Sequence, residues 1–223
     1  MANQSYTITR ADASSLEVSR VLRNTYLLLS LTLLFSALVA GFAMATNAPY
    51  PGIILTLVGV YGLMFLTYRL RNSAWGLLST FAFTGFMGYT LGPILNMVTS
   101  NYANGSSIIM MALGGTGAIF LGLSAYALTT RKDFSFMTGF MVVGTLVGLV
   151  LMVLGFFLHI PGLQLAISGL FMLLSAGWIL WQTSAIIHGG ERNYVLATIG
   201  LYVQIYNLFV SLLQILSVFN GRE

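Results

Sequence analysis

Seven apolar segments divided by short links, with nearly all the positive charge confined to alternate links, leave this chain few ways to fold. The segments run approximately 24–45, 52–70, 74–97, 107–129, 136–158, 163–187 and 195–217. Each is close to or above the roughly 20 residues that carry a helix across hydrocarbon. Within lipid every backbone polar group needs a partner inside the segment, which selects helices. Only 6% of the residues are charged, where a soluble domain carries about 25%. The chain therefore reads as all-α, a polytopic membrane protein. A seven-transmembrane-helix bundle over 24–219 follows a polar leader at 1–23.

The charges orient that bundle. The leader holds Arg10, Arg20 and Arg23, and Arg69/Arg71, Arg131/Lys132 and Arg192 sit in or beside three of the links. The other three links, Thr46–Pro51, Val98–Ser106 and His159–Gly162, hold no Lys or Arg. Eight of the nine basic residues thus fall on one side, with only Arg222 opposite. By the positive-inside rule the N-terminus is cytoplasmic and the C-terminus periplasmic. Links this short make neighbouring helices antiparallel. The leader lacks the apolar core and small-residue cleavage site of a signal peptide. Its Ser14/Ser15 and Glu17 have the spacing of a cap on a short amphipathic helix.

Several function classes drop out. There are no cysteines, which removes disulfides, thiolate chemistry and cysteine-bound metals. No H-E-x-x-H, G-x-S-x-G, Walker or Rossmann pattern is present. The only aspartates are Asp12 and Asp133, so a membrane-embedded aspartate pair has no residues to form it. Basic residues are not clustered among exposed aromatics, which leaves nucleic-acid binding without support. The expectation is a non-enzymatic protein without cofactor or metal, its partners being the bilayer and other proteins.

Function, where present, should lie at polar groups held at membrane depth, because such groups are costly without partners. Gln182 lies roughly 9 Å inside the His188 end of its helix at 1.5 Å per residue. Gln204 and Asn207, spaced i,i+3, share a helix face. Gln182 and Gln204 both lie toward the basic side and are placed to meet across the bundle. A structural hydrogen bond worth about 1 kcal/mol is the plainer reading; a polar constriction or ion site is the sharper one. Amides carry no net charge and do not titrate, so alone they bind Ca²⁺ poorly. Tyr206 extends the neighbourhood, and Asn96 ends the third segment on the opposite side. Thr183 and Ser184 are expected to bond back to their own helix. His188 sits at a helix C-terminus, where the dipole favours a cation. Asp133 is placed to pair with Arg131 or Arg192 or to cap the fifth segment. Gly92-Pro93 should kink the third segment and free a carbonyl, as a tolerated membrane proline or as a gating bend. Gly88/Gly92, Gly144/Gly148 and Gly114–Gly117 form small-residue surfaces suited to close helix packing.

A set of motifs in order gives a closer comparison. Leu22-Arg-Asn-Thr-Tyr26, Gly85-Phe-x-Gly-Tyr89, Gly92-Pro-Ile-Leu-Asn96, Ser124-Ala-Tyr126, Thr129-Thr-Arg-Lys-Asp-Phe134, Ile187-His-Gly-Gly190 and Leu201-Tyr-x-x-x-Tyr-Asn-Leu-Phe209 resemble the Bax inhibitor family over nearly the whole chain after the leader. The resemblance implies a seven-helix bundle with the last helix near its centre. In some bacterial relatives it implies a pH-sensitive calcium leak channel with a sensor of two aspartates, on helices six and seven. Gln182 and Gln204 stand at those two positions, so the carboxylates are replaced. Other bacterial relatives are both substrates and modulators of the membrane AAA protease FtsH, and the resemblance implies that protease, with its membrane regulatory complex, as partners. The resemblance thus favours an inner-membrane modulator of FtsH, with residues 1 to about 20 as the handle for degradation. A small-ion or calcium leak, and a purely structural membrane factor, stand as alternatives.

Overall fold

The computed structural model describes residues 10–158 and 162–220. His159, Pro161 and Arg222 lie outside the described residues, as do leader residues 1–9. The chain forms α1 (Arg10–Ala45), α2 (Ile53–Leu70), α3 (Ala74–Asn101), α4 (Gly105–Thr130), a 3-10 turn at Ser135–Met137, α5 (Thr138–Leu158), α6 (Leu163–Ile187) and α7 (Tyr194–Asn220). No strand occurs among the described residues. The expected segments agree with these helices closely, except at the start. α1 begins at Arg10 and runs unbroken into the first apolar segment. Ser14 and Ser15 therefore lie inside a long helix rather than capping a short one. The extension is supported where Val18 and Val21 meet Gly189, Glu191 and Arg192 of the α6–α7 link.

Six helices are both long and apolar enough to cross a membrane: α1 from Leu16, α2, α4, α5, α6 and α7. α3 is 28 residues long but carries Ser79, Thr80, Thr84, Thr90 and Asn96, which lower its hydropathy. Its hydroxyls do not need water. Ser79 and Thr80 donate to the Gly76 carbonyl, and Thr84 donates to Thr80.

The links are built from cap chemistry. Gly189 takes the left-handed conformation at φ 72°, and Gly190 N–H returns to the Ala185 carbonyl at 2.8 Å, closing α6. Asn193 then starts α7: its Oδ1 accepts from the N–H groups of Val195 and Leu196 at 3.0 and 3.2 Å. This is the standard use of Asn before a helix. At the opposite end Asn96 Nδ2 donates to the Met44 carbonyl at 3.0 Å, covering the last turn of α1.

Side-chain bonds between links show that the alternation of charge is an alternation in space. Asn193 Nδ2 donates to the Arg71 carbonyl, and Ser184 Oγ donates to the Lys132 carbonyl. The α2–α3, α4–α5 and α6–α7 links and the early part of α1 therefore share one end, the basic end. α7 is the axis of the bundle, touching α1, α2, α3, α4 and α6, whereas α5 packs only on α6 and the 3-10 turn. Of the apolar stretch of α7, 56% is buried, against 6% for α2 and 11% for α5. The outer faces of α2 and α5 are thus left to the bilayer. The core gathers Leu29, Phe83, Ile179, Ile186, Leu201, Tyr202 and Leu208 around α7.

Candidate functional site

Two polar constellations lie against α7, and they differ in how fully their groups are paired. The first is a chain of hydroxyls between α1, α3 and α7. Gly88 lies so close to α1 that a Cβ there would strike the Ser36 carbonyl oxygen. That approach brings Ser36 Oγ to within 2.6 Å of Tyr202 Oη, which in turn lies 3.1 Å from the Thr84 carbonyl. A carbonyl only accepts, so Tyr202 gives its single hydrogen to Thr84 and receives that of Ser36. One turn along, Thr90 Oγ1 donates to the Met87 carbonyl at 2.7 Å and accepts from Tyr206 Oη at 2.9 Å. Tyr202 is 1% exposed, and every hydroxyl in the chain has a partner. These groups lock three helices together.

The second constellation opens at the basic end as a cleft of about 510 Å³ lined by Asp133, Trp181, Gln182, Ser184, His188 and Glu191, among others. Ser184 organises it. Its Oγ accepts from the Phe134 N–H and donates to the Lys132 carbonyl, both at 3.1 Å. His188 Nδ1 lies 2.9 Å from the Ser184 carbonyl and so carries the hydrogen, leaving Nε2 as the free ring nitrogen. Asp133 Oδ1 accepts from the Ser135 N–H at 2.8 Å and so caps the 3-10 turn that leads into α5. The Ser135 N–H and hydroxyl, with a smaller contribution from the nearby His188, hold the Asp133 carboxyl below the usual carboxylate range. No ion pair joins Asp133 to Arg131 or Arg192. Of the expected roles, capping is the one this geometry contains.

The two amides approach the same stretch of α7 but do not bond to each other. Gln182 reaches across to α7 at Gly200, where a Cβ would lie 2.7 Å from its Oε1. Only a glycine leaves room for that amide. Gln204 lies one turn further along α7, and no hydrogen bond joins it to Gln182. Asn207 is likewise half-buried and makes no hydrogen bond. The expectation that Thr183 and Ser184 bond back to their own helix is corrected: Ser184 Oγ bonds the Lys132–Phe134 segment, and the buried Thr183 hydroxyl has no partner. Pro93 lies inside α3, which stays a single helix on both sides of it, while Gly92 presses on Ala43 and Met44 of α1. Gly144 and Gly148 pack on Leu174 and Phe171 of α6, but Gly114 and Gly117 face no atom within 4 Å. The third small-residue surface is therefore split: Gly114 and Gly117 point outward, whereas Gly115 faces Leu212 of α7 and Thr116 is buried.

Ser36, Thr84, Thr90 and Tyr202 escaped sequence reasoning. The usable signal was the i,i+4 pair Tyr202/Tyr206, two phenols on one face of an apolar helix, each needing a hydroxyl or carbonyl partner. All described charged residues lie at the basic end, and no three His, Asp or Glu side chains among them are grouped to hold a metal ion.

Comparison with known proteins supplies the family. An uncharacterized protein of Pseudomonas aeruginosa is 59% identical over 223 residues, covering all of both chains. The protein named modulator of FtsH protease YccA in Escherichia coli K12 is 58% identical over 210 residues, 94% of each chain. Its counterpart in Escherichia coli O6:H1 is named inner membrane protein YccA, with the same identity and coverage. A family model described as inhibitor of apoptosis-promoting Bax1 matches residues 18–221. That match runs from Val18 within α1 to the end of α7 and takes in both constellations, and the chain belongs to the Bax inhibitor family.

Proposed function

We propose that this chain is a multi-pass protein of the bacterial inner membrane that binds and modulates the FtsH protease and is itself degraded by it. The observation that carries this reading is the 58% identity, over 94% of both chains, to the relative named modulator of FtsH protease. The chemistry of the bundle agrees with a role through protein contacts. Its interior polar groups are hydroxyls and amides, which neither titrate near neutrality nor act as nucleophiles without a base, so no catalytic function is assigned.

In this reading α3 is the seventh span. Its hydroxyls are satisfied within the bundle, and it packs between α1, α2 and α7. The basic end faces the cytoplasm, and the C-terminus is periplasmic. A reporter enzyme active only outside the cytoplasm should therefore be active when fused after residue 220. The leader, from residue 1 to about 20, serves as the handle for degradation. Gln182 and Gln204 are the family's sensor positions without carboxylates, which speaks against a leak gated by that pair. His188, Asp133, Tyr206 and Asn207 support the same region, and Gly92-Pro93 is where α3 would bend if the bundle opens.

The test is affinity purification of the tagged chain from membranes containing FtsH, with turnover followed after synthesis is stopped. FtsH should copurify, and removal of residues 1–20 should lengthen the half-life of the chain. A preparation free of FtsH would overturn the modulator reading. Unchanged turnover after truncation would overturn the handle.

A further inference from the structure

α6 is set apart from α2 and α3, their Cα atoms nowhere approaching within 8 Å, and α7 forms the floor of a cavity at each end of this seam. Toward the basic end it widens to a groove of about 550 Å³ over Leu196, Ile199 and Gly200. Toward the other end it holds a second cavity of about 320 Å³ over Val210, Gln214 and Val218. From Leu196 to Val218 the floor is roughly 33 Å long at 1.5 Å per residue. That is about the thickness of the hydrocarbon core.

Asn207 falls between the two cavities, on the α7 stripe that runs through Gly200, Val203, Val210 and Gln214 at helical spacing. It is also the middle residue of α7, and so sits near the centre of the membrane. Its amide and that of the neighbouring Gln204 make no hydrogen bond, yet both are only half-buried. Hydrocarbon supplies neither donor nor acceptor.

The gap between α1 and α4 provides the contrast. It is a crevice of about 430 Å³, and the hydroxyls on its floor are paired inside the bundle. Hydrocarbon satisfies that crevice; it does not satisfy the seam. The seam also holds amide dipoles but no formal charge, so its electrostatic complement is an uncharged polar group.

We propose that the seam along α7 receives a transmembrane helix of the protease, with a Ser, Thr, Asn or Gln side chain at mid-membrane depth facing Asn207. The assignment rests on the modulator reading given above. A groove flanked by two helices accepts a single protruding helix along its length. A second copy of this chain, related by a two-fold axis normal to the membrane, would set groove against groove. Two concave surfaces do not fill each other, so a different chain is the occupant.

A photo-crosslinking amino acid placed at Val210 in the full chain, in membranes containing FtsH, tests this. Leu113 at the α1–α4 crevice and Val147 on the outer face of α5 serve as comparison positions. The expected result is a crosslink to a membrane segment of FtsH from Val210 and from neither comparison position. Asn207→Leu should weaken it about threefold to tenfold, the range an interhelical side-chain hydrogen bond supplies. Val218→Trp, at an exposed position lining the second cavity, should abolish it while leaving thermal melting unchanged.

FtsH that copurifies but crosslinks from α5 or α4 and not from Val210 overturns the seam and leaves the modulator reading intact. So does a Val210 adduct consisting only of lipid or of a second copy of this chain. Failure of FtsH to copurify at all overturns both.

Discussion

Replacing Gly88 with alanine should destabilise the bundle out of proportion to the one methyl added. The new Cβ would collide with the Ser36 carbonyl oxygen and lie 2.8 Å from Ser36 Oγ and 3.0 Å from its carbonyl carbon. Two of those atoms are backbone in the middle of α1, so no rotamer change relieves the clash and the two helices must move apart. Overpacking of this kind costs about 1–3 kcal/mol. The movement also stretches the 2.6 Å bond from Ser36 to Tyr202, and a lost interhelical bond adds about 0.6–1.7 kcal/mol. Together they come to about 2–5 kcal/mol. On the scale of globular chains of 150–250 residues, this lowers Tm by about 4–20 °C. Tryptophan fluorescence during heating in detergent micelles measures it, with Gly114→Ala and Gly122→Ala as controls, because neither has an atom within 4 Å of the added Cβ. The controls should melt at the parent's Tm or up to about 4 °C above it, since replacing an interior helix glycine supplies about 0.5–1 kcal/mol. A Gly88→Ala protein melting with the controls would refute the close α1–α3 approach and the hydroxyl chain built on it.

Gly200→Ala should behave in the opposite way, since its clash is with the mobile end of Gln182. That amide can swing into the cleft, and the helix gains about 0.5–1 kcal/mol from losing an interior glycine, so Tm in the same assay should be nearly unchanged. Ser184→Ala leaves the Phe134 N–H and Lys132 carbonyl without their partner. It should cost about 1–3 kcal/mol and raise hydrogen exchange selectively at the Phe134 amide; uniform protection there would count against the clamp. Asp133 is depressed by its bond from Ser135, so it favours the folded link above the ordinary value of 3.8 and loses that contribution as pH falls through its lower folded value. An NMR titration should show its carboxyl midpoint below 3.8, with the Ser135 amide resonance moving alongside; a midpoint at or above the ordinary value would remove the cap.

Much of the architecture was legible because membrane folding imposes rules that act locally. A segment in hydrocarbon must satisfy its own backbone, so apolar length alone located the helices from α2 to α7 to within a few residues. The sorting of Arg and Lys among the links showed which ends lie together, and Asn193 bridging to the Arg71 carbonyl bears this out in space. The run Gly189-Gly190-Glu191-Arg192-Asn193 was readable as the end of one helix and the start of another, since glycine and asparagine act there through their own backbone and side chain.

Pairing was not legible, because it depends on where a helix is rotated and which neighbour it meets. Gln182 rests on Gly200 of α7, a residue that leaves no sign in the sequence of what it accommodates. Ser184 read as bonding back to its own helix; only the α4–α5 link folded over the end of α6 turns it to the Lys132 carbonyl and the Phe134 N–H. Of three equivalent glycine surfaces, only tertiary contact separates Gly88 and Gly92, pressed on α1, from Gly114 and Gly117, which face nothing. Sequence determined the helices and the end at which their charges gather, since each helix satisfies its own backbone. Which polar groups are paired, and that Gln204 and Asn207 are left unpaired on α7, was decided by tertiary structure, since a side-chain partner is chosen by the neighbouring helix.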